Sequence, residues 1–276
     1  MLLSLSVRIA EEFLSKEQSR LTLEELIALA RNTGYDGLCM RGSQVGVHSH
    51  PERQQEVAAA VGASGLRVTM VTGDFDMVYN NERGPDCLRR IEPYLDLAEL
   101  LQARIVRVAL KQPEDIGWAQ QAADAAAARG LVLAHQCHTL SLFETVDDIE
   151  RTLRAIDRPN FGLIYEPANL ELCGEDYGLW TLERLAPWIV NVYLQNQRLR
   201  VGGDVTLDTW CRGPVAFDLL PIHAPGGIDF DRVFAGLRAI GYDGPVTAHQ
   251  SGIPGIPLED TTSGTARFLK GLMHAG

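Results

Sequence analysis

Apolar runs of four to six residues alternate with amphipathic segments from one end of the chain to the other. The runs predict strands near Leu3–Val7, Gly37–Met40, Leu66–Val71, Ile105–Ala109, Leu131–Ala134, Phe161–Tyr165, Ile189–Leu194 and Val246–Ala248. Their continuous apolar character predicts burial on both faces, as in a parallel sheet. Helices fill the gaps. LTLEELIALA puts Leu23, Leu26, Ile27 and Ala30 on one face at helical spacing. Thr22 and Glu25 read as a capping box, and Gly34 suits a left-handed helix stop. Thr145, with Asp148 three residues on, opens the helix after LVLAHQCH in a similar way. Pro93 predicts a kink or restart within RRIEPYLDLAELL. GYDGLCM from Gly34 and GYDGPVTAH from Gly241 echo each other, each a helix stop followed by a strand start. The Gly-, Pro- and Asp-rich stretch from Asn196 to Gly227 predicts one long irregular loop, and such loops are often functional.

Eight strands, each followed by a helix, predict a single (β/α)8 TIM barrel spanning 1–276, one α/β domain. An open doubly wound sheet would carry a glycine-rich loop after its first strand, and RIAEEFLSKEQ has no glycine. The 46% hydrophobic content of the 276 residues is ample for a large core, and a 22% charged fraction is ordinary for a folded chain. A net charge of −11 argues against nucleic acid as a partner. It leaves room for a small anionic substrate held by a few arginines. The five cysteines, Cys39, Cys87, Cys137, Cys173 and Cys211, form no C-x-x-C pair and are odd in number. They predict a reducing, cytoplasmic setting. MLLSLSVRIAEEF is too short and too soon acidic for a signal peptide. No apolar run approaches the ~20 residues of a membrane helix. The expected partner is a small molecule, and homo-oligomerisation is left open.

In such barrels the active site lies at the C-terminal ends of the strands. Those positions read Arg41, Asp74, Lys111, His135 with His138, Glu166, Gln195 and His249. A buried carboxylate is costly unless it is paired or bound to a cation. Two histidines and a glutamate at one mouth form a reasonable metal-ligand set. Taken singly, His135 reads equally well as a hydrogen-bonded core histidine, and Glu166 as the partner of an arginine. His48 and His50, in VGVHSHPE, read as an exposed loop by default. His223, in LPIHAPGG, is placed to close over the site, and His274 reads as tail. Arg41, Arg107 and Arg198 can bind an anionic group by paired hydrogen bonds. Backbone N–H groups of QSGIPGIP offer a second anion site. Trp210 and Phe217 either stack on a sugar ring or pack the long loop against itself.

GYDGL at 34–38, LVLAHQCHTLSLFET at 131–145 and FGLIYEPANL at 161–170 carry a resemblance over nearly the whole chain. IVNVYLQNQ at 189–197 and PGGIDFDRVFAGLRAIGYDGPVTAHQ at 225–250 complete it. The chain resembles the xylose isomerase-like barrels, often called sugar phosphate isomerases/epimerases. Such proteins hold a divalent cation with Glu, Asp, His and Glu at strands five to eight. By that resemblance His135 stands in the first position and Glu166 in the second. Tyr193 stands where the third ligand is expected, with Gln195 two residues on, and His249 takes the fourth. Cys39 replaces a frequent strand-two Glu. The resemblance thus implies one divalent metal ion on His135, Glu166, Gln195 and His249. With imidazoles in place of carboxylates, Mn, Zn, Fe, Co or Ni is favoured over Mg. A metal-bound His cannot also take a proton. Proton transfer is therefore expected from His138, Asp74 and His223, with Arg41, Asn169, Asn196 and Arg198 holding substrate. The expected activity is a metal-dependent sugar isomerase or epimerase acting through an enediolate on a carbohydrate or cyclitol. The close alternative is a lyase or dehydratase on a keto-sugar, keto-inositol or 3-keto-glycoside. More distant alternatives are a Lys111 Schiff-base aldolase, an apurinic endonuclease and a non-catalytic sugar-binding barrel.

Overall fold

The computed structural model describes residues 1–12 and 15–275. Seven parallel strands come first: β1 (Leu2–Ser6), β2 (Gly37–Arg41), β3 (Arg67–Thr72), β4 (Ile105–Arg107), β5 (Val132–Gln136), β6 (Phe161–Tyr165) and β7 (Ile189–Leu194). Three short strands follow: β8 (Asn196–Leu199), β9 (Val205–Thr209) and β10 (Gly213–Leu220). β11 (Pro245–Ala248) returns to the barrel and pairs with both β7 and β1, so no edge is left open. The helices are α1 (Leu23–Asn32), α2 (Pro51–Ser64), α3 (Phe75–Tyr79), α4 (Asp86–Arg89), α5 (Glu92–Leu100), α6 (Asp115–Ala127), α7 (Val146–Ile156), α8 (Pro167–Leu172), α9 (Leu179–Leu185), α10 (Phe230–Ala239) and α11 (Leu258–His274). Among the described residues no helix is long and apolar enough to cross a membrane.

The predicted caps form. Thr22 and Glu25 exchange side-chain and backbone hydrogen bonds at the start of α1. Thr145 accepts the Asp148 N–H at 3.2 Å. Gly34 takes a left-handed φ of 86° just past α1, where a Cβ would be strained. Pro93 sits in the first turn of α5, so the chain restarts a helix there after the short α4.

Alternation along each strand divides two layers. Cys39, Met70, Ile105, Ala134, Ile164 and Tyr193 form a small cluster inside the barrel. Their strand neighbours, such as Leu38, Met40, Val106, Leu133, Leu163 and Val192, join the large core under the helices. Polar groups inside the barrel satisfy one another: Ser4 Oγ and Thr69 Oγ1 lie 2.7 Å apart, and Thr247 Oγ1 donates to Asn191 Oδ1 at 3.0 Å.

The expected irregular loop is instead an antiparallel sheet, in the order β8-β10-β9. Its residues alternate between more and less exposed positions, as in VTLDT. Left-handed glycines at Gly202 and Gly213 make its turns. Composition hid that alternation, since Gly, Pro and Asp mark turns whether or not strands lie between them. One buried carboxylate ties this sheet to the barrel. Glu144 Oε1 accepts the N–H groups of Leu140 (2.6 Å) and Trp210 (2.8 Å), and Oε2 accepts that of Cys211 (2.9 Å). Glu144→Gln turns one acceptor into a donor facing an N–H, at a cost of roughly 1–3 kcal/mol. Amide exchange at Leu140, Trp210 and Cys211 should accelerate while β1–β7 keep their protection. Unchanged exchange at those three amides would contradict this role.

Candidate active site

The mouth is built from strand parity. In β5, Val132 and Ala134 face the barrel interior and Leu133 faces the helices. Gln136 therefore points inward, while His135 points out. The His135 ring stacks on Phe143, with centroids 4.1 Å apart. Its Nδ1 contacts the Gln136 carbonyl, which can only accept, so Nδ1 carries the proton. Burial drives its pKa down to about 3. His135 is a neutral core histidine, and its expected place among metal ligands is corrected: the side chain that strand five brings to the mouth is Gln136.

At the C-terminal strand ends lies a cavity of about 250 Å³. Arg8, Lys16, Gln136, His138, Glu166, Asn169 and Gln195 line it, and the β9 residues Thr206, Leu207 and Asp208 wall one side. A larger cavity, about 980 Å³, opens at the opposite end among strand starts. Its wall is mostly small and apolar, and that end of a barrel serves stability rather than chemistry.

Glu166 is the buried carboxylate of the mouth cavity. It follows β6 with the same inward parity as Ile164. It accepts hydrogen bonds from Gln136 Nε2 and, at 2.8 Å, from Asn169 Nδ2. Burial raises its pKa to about 7, against the pull of Arg8, the Gln136 hydrogen bond, Arg107 and Lys16. His249 stacks on Tyr193 with centroids 3.8 Å apart, and its Nδ1 lies 3.0 Å from Ser6 Oγ. Burial, then Arg8, Arg41 and Arg107, hold it well below the usual histidine range. Tyr193 Oη meets Cys39 Sγ at 3.1 Å. Gln195 donates to Gln197 Oε1 at 3.2 Å. Buried Thr72 Oγ1, Gln136 Oε1, Gln195 Oε1 and Ser251 Oγ have no hydrogen-bond partner among the described residues, which leaves polar capacity at the strand ends.

His138 Nδ1 lies 2.9 Å from the Thr139 carbonyl and 3.1 Å from Asn80 Nδ2, and the ring is kept neutral, first by burial and then by Arg107. Beside it, Asn80 and Leu140 hold left-handed φ values of 49° and 53°. That conformation is uncommon for a branched residue such as Leu, and strain of this kind clusters at functional sites.

Three arginines crowd this end, all less than 9% exposed: Arg8, Arg41 and Arg107. Arg41 is paired with the fully buried Glu11, its Nη2 lying 2.9 Å from Oε2. Half-buried Lys16 lies over the Tyr79 ring at 5.5 Å. Burial, then Arg8 and Arg41, lower its pKa to about 7.

Several expected site residues do other work. Asp74 caps α3 through Met77 N (2.7 Å) and accepts the Tyr94 hydroxyl, so both its oxygens are used. Arg41 is committed to Glu11. Asn196 holds the loop after β10 through the carbonyls of Pro221 and Ala224 and the N–H of Ile228. Arg198 lies outside the cavity on β8, reaching Asp218 at 3.4 Å. His223 is exposed beside α11, in a groove with Asp260 and Arg267. Lys111 Nζ is held by the Asn80 carbonyl at 2.7 Å. Phe217 is fully buried, so it packs the small sheet, while Trp210 is exposed. The structure does bring His138, Glu166, Asn169 and Gln195 to one cavity, with His249 beside them. Sequence reasoning missed Arg8, Lys16, Gln136 and Glu11. Parity was the available signal: Arg8 continues Ser4 and Ser6, and Gln136 continues Val132 and Ala134.

A model of the xylose isomerase-like TIM barrel family matches residues 27–272, and the chain belongs to that family. An inosose dehydratase of Geobacillus thermodenitrificans is 29% identical over 122 residues, 44% of this chain and 41% of that protein. The chain therefore matches less than half the length of this curated relative. The probable 3-DHS dehydratase of Bacillus anthracis shares the fold, with a TM-score of 0.72 at 14% identity over 98% of this chain and 99% of that one. A D-allulose 3-epimerase of Methylomonas sp. does so with a TM-score of 0.69 at 15% identity, over 99% and 98%. Neighbours of this fold also include structures with bound magnesium or zinc.

The donors at this mouth do not fit such a cation. They comprise one carboxylate, two neutral amides and one imidazole, set among three guanidinium groups and an ammonium. One carboxylate and one imidazole are a sparse donor set for a dication, and the neighbouring guanidinium and ammonium groups repel it. Among the described residues, the one place where three His, Cys, Asp or Glu donors gather is Glu144, Cys173 and Cys211. There both carboxylate oxygens already hold backbone N–H groups.

The correction at His135 has a thermodynamic signature. Its folded pKa is depressed from 6.5 to about 3, so the unfolded chain takes the proton first. Its contribution to stability is present above about 6.5 and is lost as pH falls towards 3. His135→Phe removes that titration. Between pH 7 and 4.5 the variant should lose about 2–3 kcal/mol less stability than the parent in urea unfolding. Equal losses would place His135 in an exposed or already charged setting.

Proposed function

We propose that this barrel moves a proton from the carbon beside a carbonyl of a small polyhydroxylated substrate, and that the result is loss of water. The observation that carries this reading is Glu166: a buried carboxylate on the cavity wall, its pKa raised to about 7, positioned by two amide donors. A general base poised near neutrality is half-ionised where it works, which suits reversible proton transfer. Ionised Glu166 takes the α-proton. Negative charge that develops on the carbonyl oxygen is met by Arg8, which lines the same cavity. The β-hydroxyl leaves as water after accepting a proton from the Lys16 ammonium. His138 and Gln195 supply hydrogen bonds to substrate hydroxyls.

Elimination is preferred to epimerisation for a reason visible on strand five. Epimerisation by deprotonation returns the proton to the opposite face of the carbon, which calls for a second base across the site. The inward residue of the neighbouring strand five is Gln136, an amide that cannot take a proton and that already donates to Glu166. The partial match to an inosose dehydratase points the same way. Because the family also contains epimerases, the assay should include both product types.

The test is a panel of keto-sugars, inososes and cyclic hydroxy-ketones in deuterated water, followed by NMR. Exchange of the α-hydrogen with appearance of an enone is expected for at least one compound. The rate should rise with pH through a limb near 7, where Glu166 ionises, and not near 4.5, and turn over above it as Lys16 loses its proton. Glu166→Gln should lower kcat/KM by at least 10²-fold and abolish the limb. A limb unchanged in Glu166→Gln would assign the base elsewhere.

A further inference from the structure

The hairpin of β9 and β10, whose residues Thr206, Leu207 and Asp208 wall the mouth cavity, turns at Trp210–Arg212. That turn sits against the C-terminal end of α8, the helix that follows Glu166 and carries Asn169. Arg212 Nη1 donates to the Leu172 carbonyl at 3.1 Å, and its guanidinium packs over Gly174, where a Cβ would come within 3.2 Å of it. Gly174 also holds a left-handed φ of 76°, so the backbone turn and the close approach both favour glycine there. Cys211 and Cys173 meet across this seam. Cys211 Sγ lies 3.7 Å from the Cys173 carbonyl. The two sulfur atoms and a Glu144 oxygen all lie within 4.8 Å of one another. Cys211 is exposed at the hairpin tip and Cys173 is buried behind it, whereas Cys39, Cys87 and Cys137 are sealed in the core. A disulfide holds its sulfurs ~2 Å apart, so closure asks for an approach of no more than ~3 Å, within reach of a side-chain rotation at the tip.

We infer that Cys173 and Cys211 form a site of oxidative modification, closing to an intramolecular disulfide that pins the hairpin wall to α8. The oxidant is a small disulfide. The Cys211 thiolate, reached from solvent, attacks one sulfur of that molecule, whose S–S bond breaks and whose other half leaves as a thiol. The Cys173 thiolate then attacks Cys211 Sγ and displaces the remaining half. Two protein thiols are oxidised, one small disulfide is reduced to two thiols, and the two cysteine protons end on the leaving groups. Burial, with Glu144 beside them, pushes both thiols up, so thiolate is scarce and closure is slow. The pair therefore stays reduced through brief exposure and answers sustained oxidation. Once it is closed, the wall at Thr206, Leu207 and Asp208 no longer moves independently of the helix that sets Asn169 against Glu166.

The full chain, with chelator present, is incubated for hours with oxidised glutathione at mildly alkaline pH, then denatured, alkylated and mapped by peptide mass spectrometry. Alkylated thiols should fall from the five of the sequence to three, with Cys173 and Cys211 joined in one linked peptide pair and Cys39, Cys87 and Cys137 untouched. Dithiothreitol should restore all five. In Cys173→Ser the reaction should stop at a glutathione adduct on Cys211, and in Cys211→Ser no thiol should be lost. The bridge should also slow amide exchange across β9 and β10 at least threefold, with no change in β1–β7. The map of the parent chain decides the matter even where a variant does not fold. Five free thiols after treatment, an adduct that persists on Cys211 in the parent, or a bridge to any other cysteine would overturn the site. Unchanged exchange in the bridged chain would overturn its hold on the cavity wall.

Discussion

Keeping guanidinium groups out of water is the constraint around which the mouth of this barrel is arranged. Arg8, Arg41 and Arg107 are each buried at the C-terminal strand ends. Arg41 meets that cost with Glu11, which it contacts through both Nε and Nη2 and which also accepts the Ser43 hydroxyl. The remaining cations act on whatever else is present. They oppose the effect of burial on Glu166, leaving its pKa near neutrality instead of higher. They help keep His249 and His138 neutral. The same burial and the same neighbours weaken the hold of Lys16 on its proton. Burial and one charge distribution therefore act together on the protonation of Glu166, His138, His249 and Lys16.

The second organising rule is geometric. Successive residues of a strand face opposite ways, so a shift of one position exchanges a core residue for a site residue. His135 and Gln136 show the consequence. The former spends its imidazole on Phe143, and the latter donates to the carboxylate at the centre of the site. The family scaffold is present, and its inward strand-end positions carry amides, one imidazole and one carboxylate. The small β8–β10 sheet completes the wall, and Glu144 holds it there by linking the Trp210 and Cys211 N–H groups of its hairpin to that of Leu140 after β5.

Much of the fold was legible in the sequence because a buried parallel strand is a continuous apolar run. Phe161–Tyr165 and Ile189–Leu194 were placed to the residue. The same continuity hid strand direction: LVLAHQ has apolar residues on both faces, so hydropathy could not say which of His135 and Gln136 faces in. Glu166 and His249 were legible as polar residues at strand ends. Arg8 was not, because the first predicted strand ends at Val7 and the inward step after Ser6 falls just beyond it. Glu11 and Glu144 gave no signal at all, since nothing local distinguishes a carboxylate buried by distant partners from one in solvent. Asp74, Asn196 and Arg198 were chemically suitable, but each is consumed by a cap, a loop or a surface pair.

The measurement that bears most directly on this account is cation binding by the purified chain, stripped with chelator and titrated with Mn²⁺ and Zn²⁺ by calorimetry beside Glu166→Gln. A mouth dominated by guanidinium groups predicts no saturable site at the barrel mouth tighter than about 1 mM. It also predicts the same weak response in the variant. One equivalent bound at micromolar affinity and lost in Glu166→Gln would contradict it, and would return the mouth to a metal-centred chemistry.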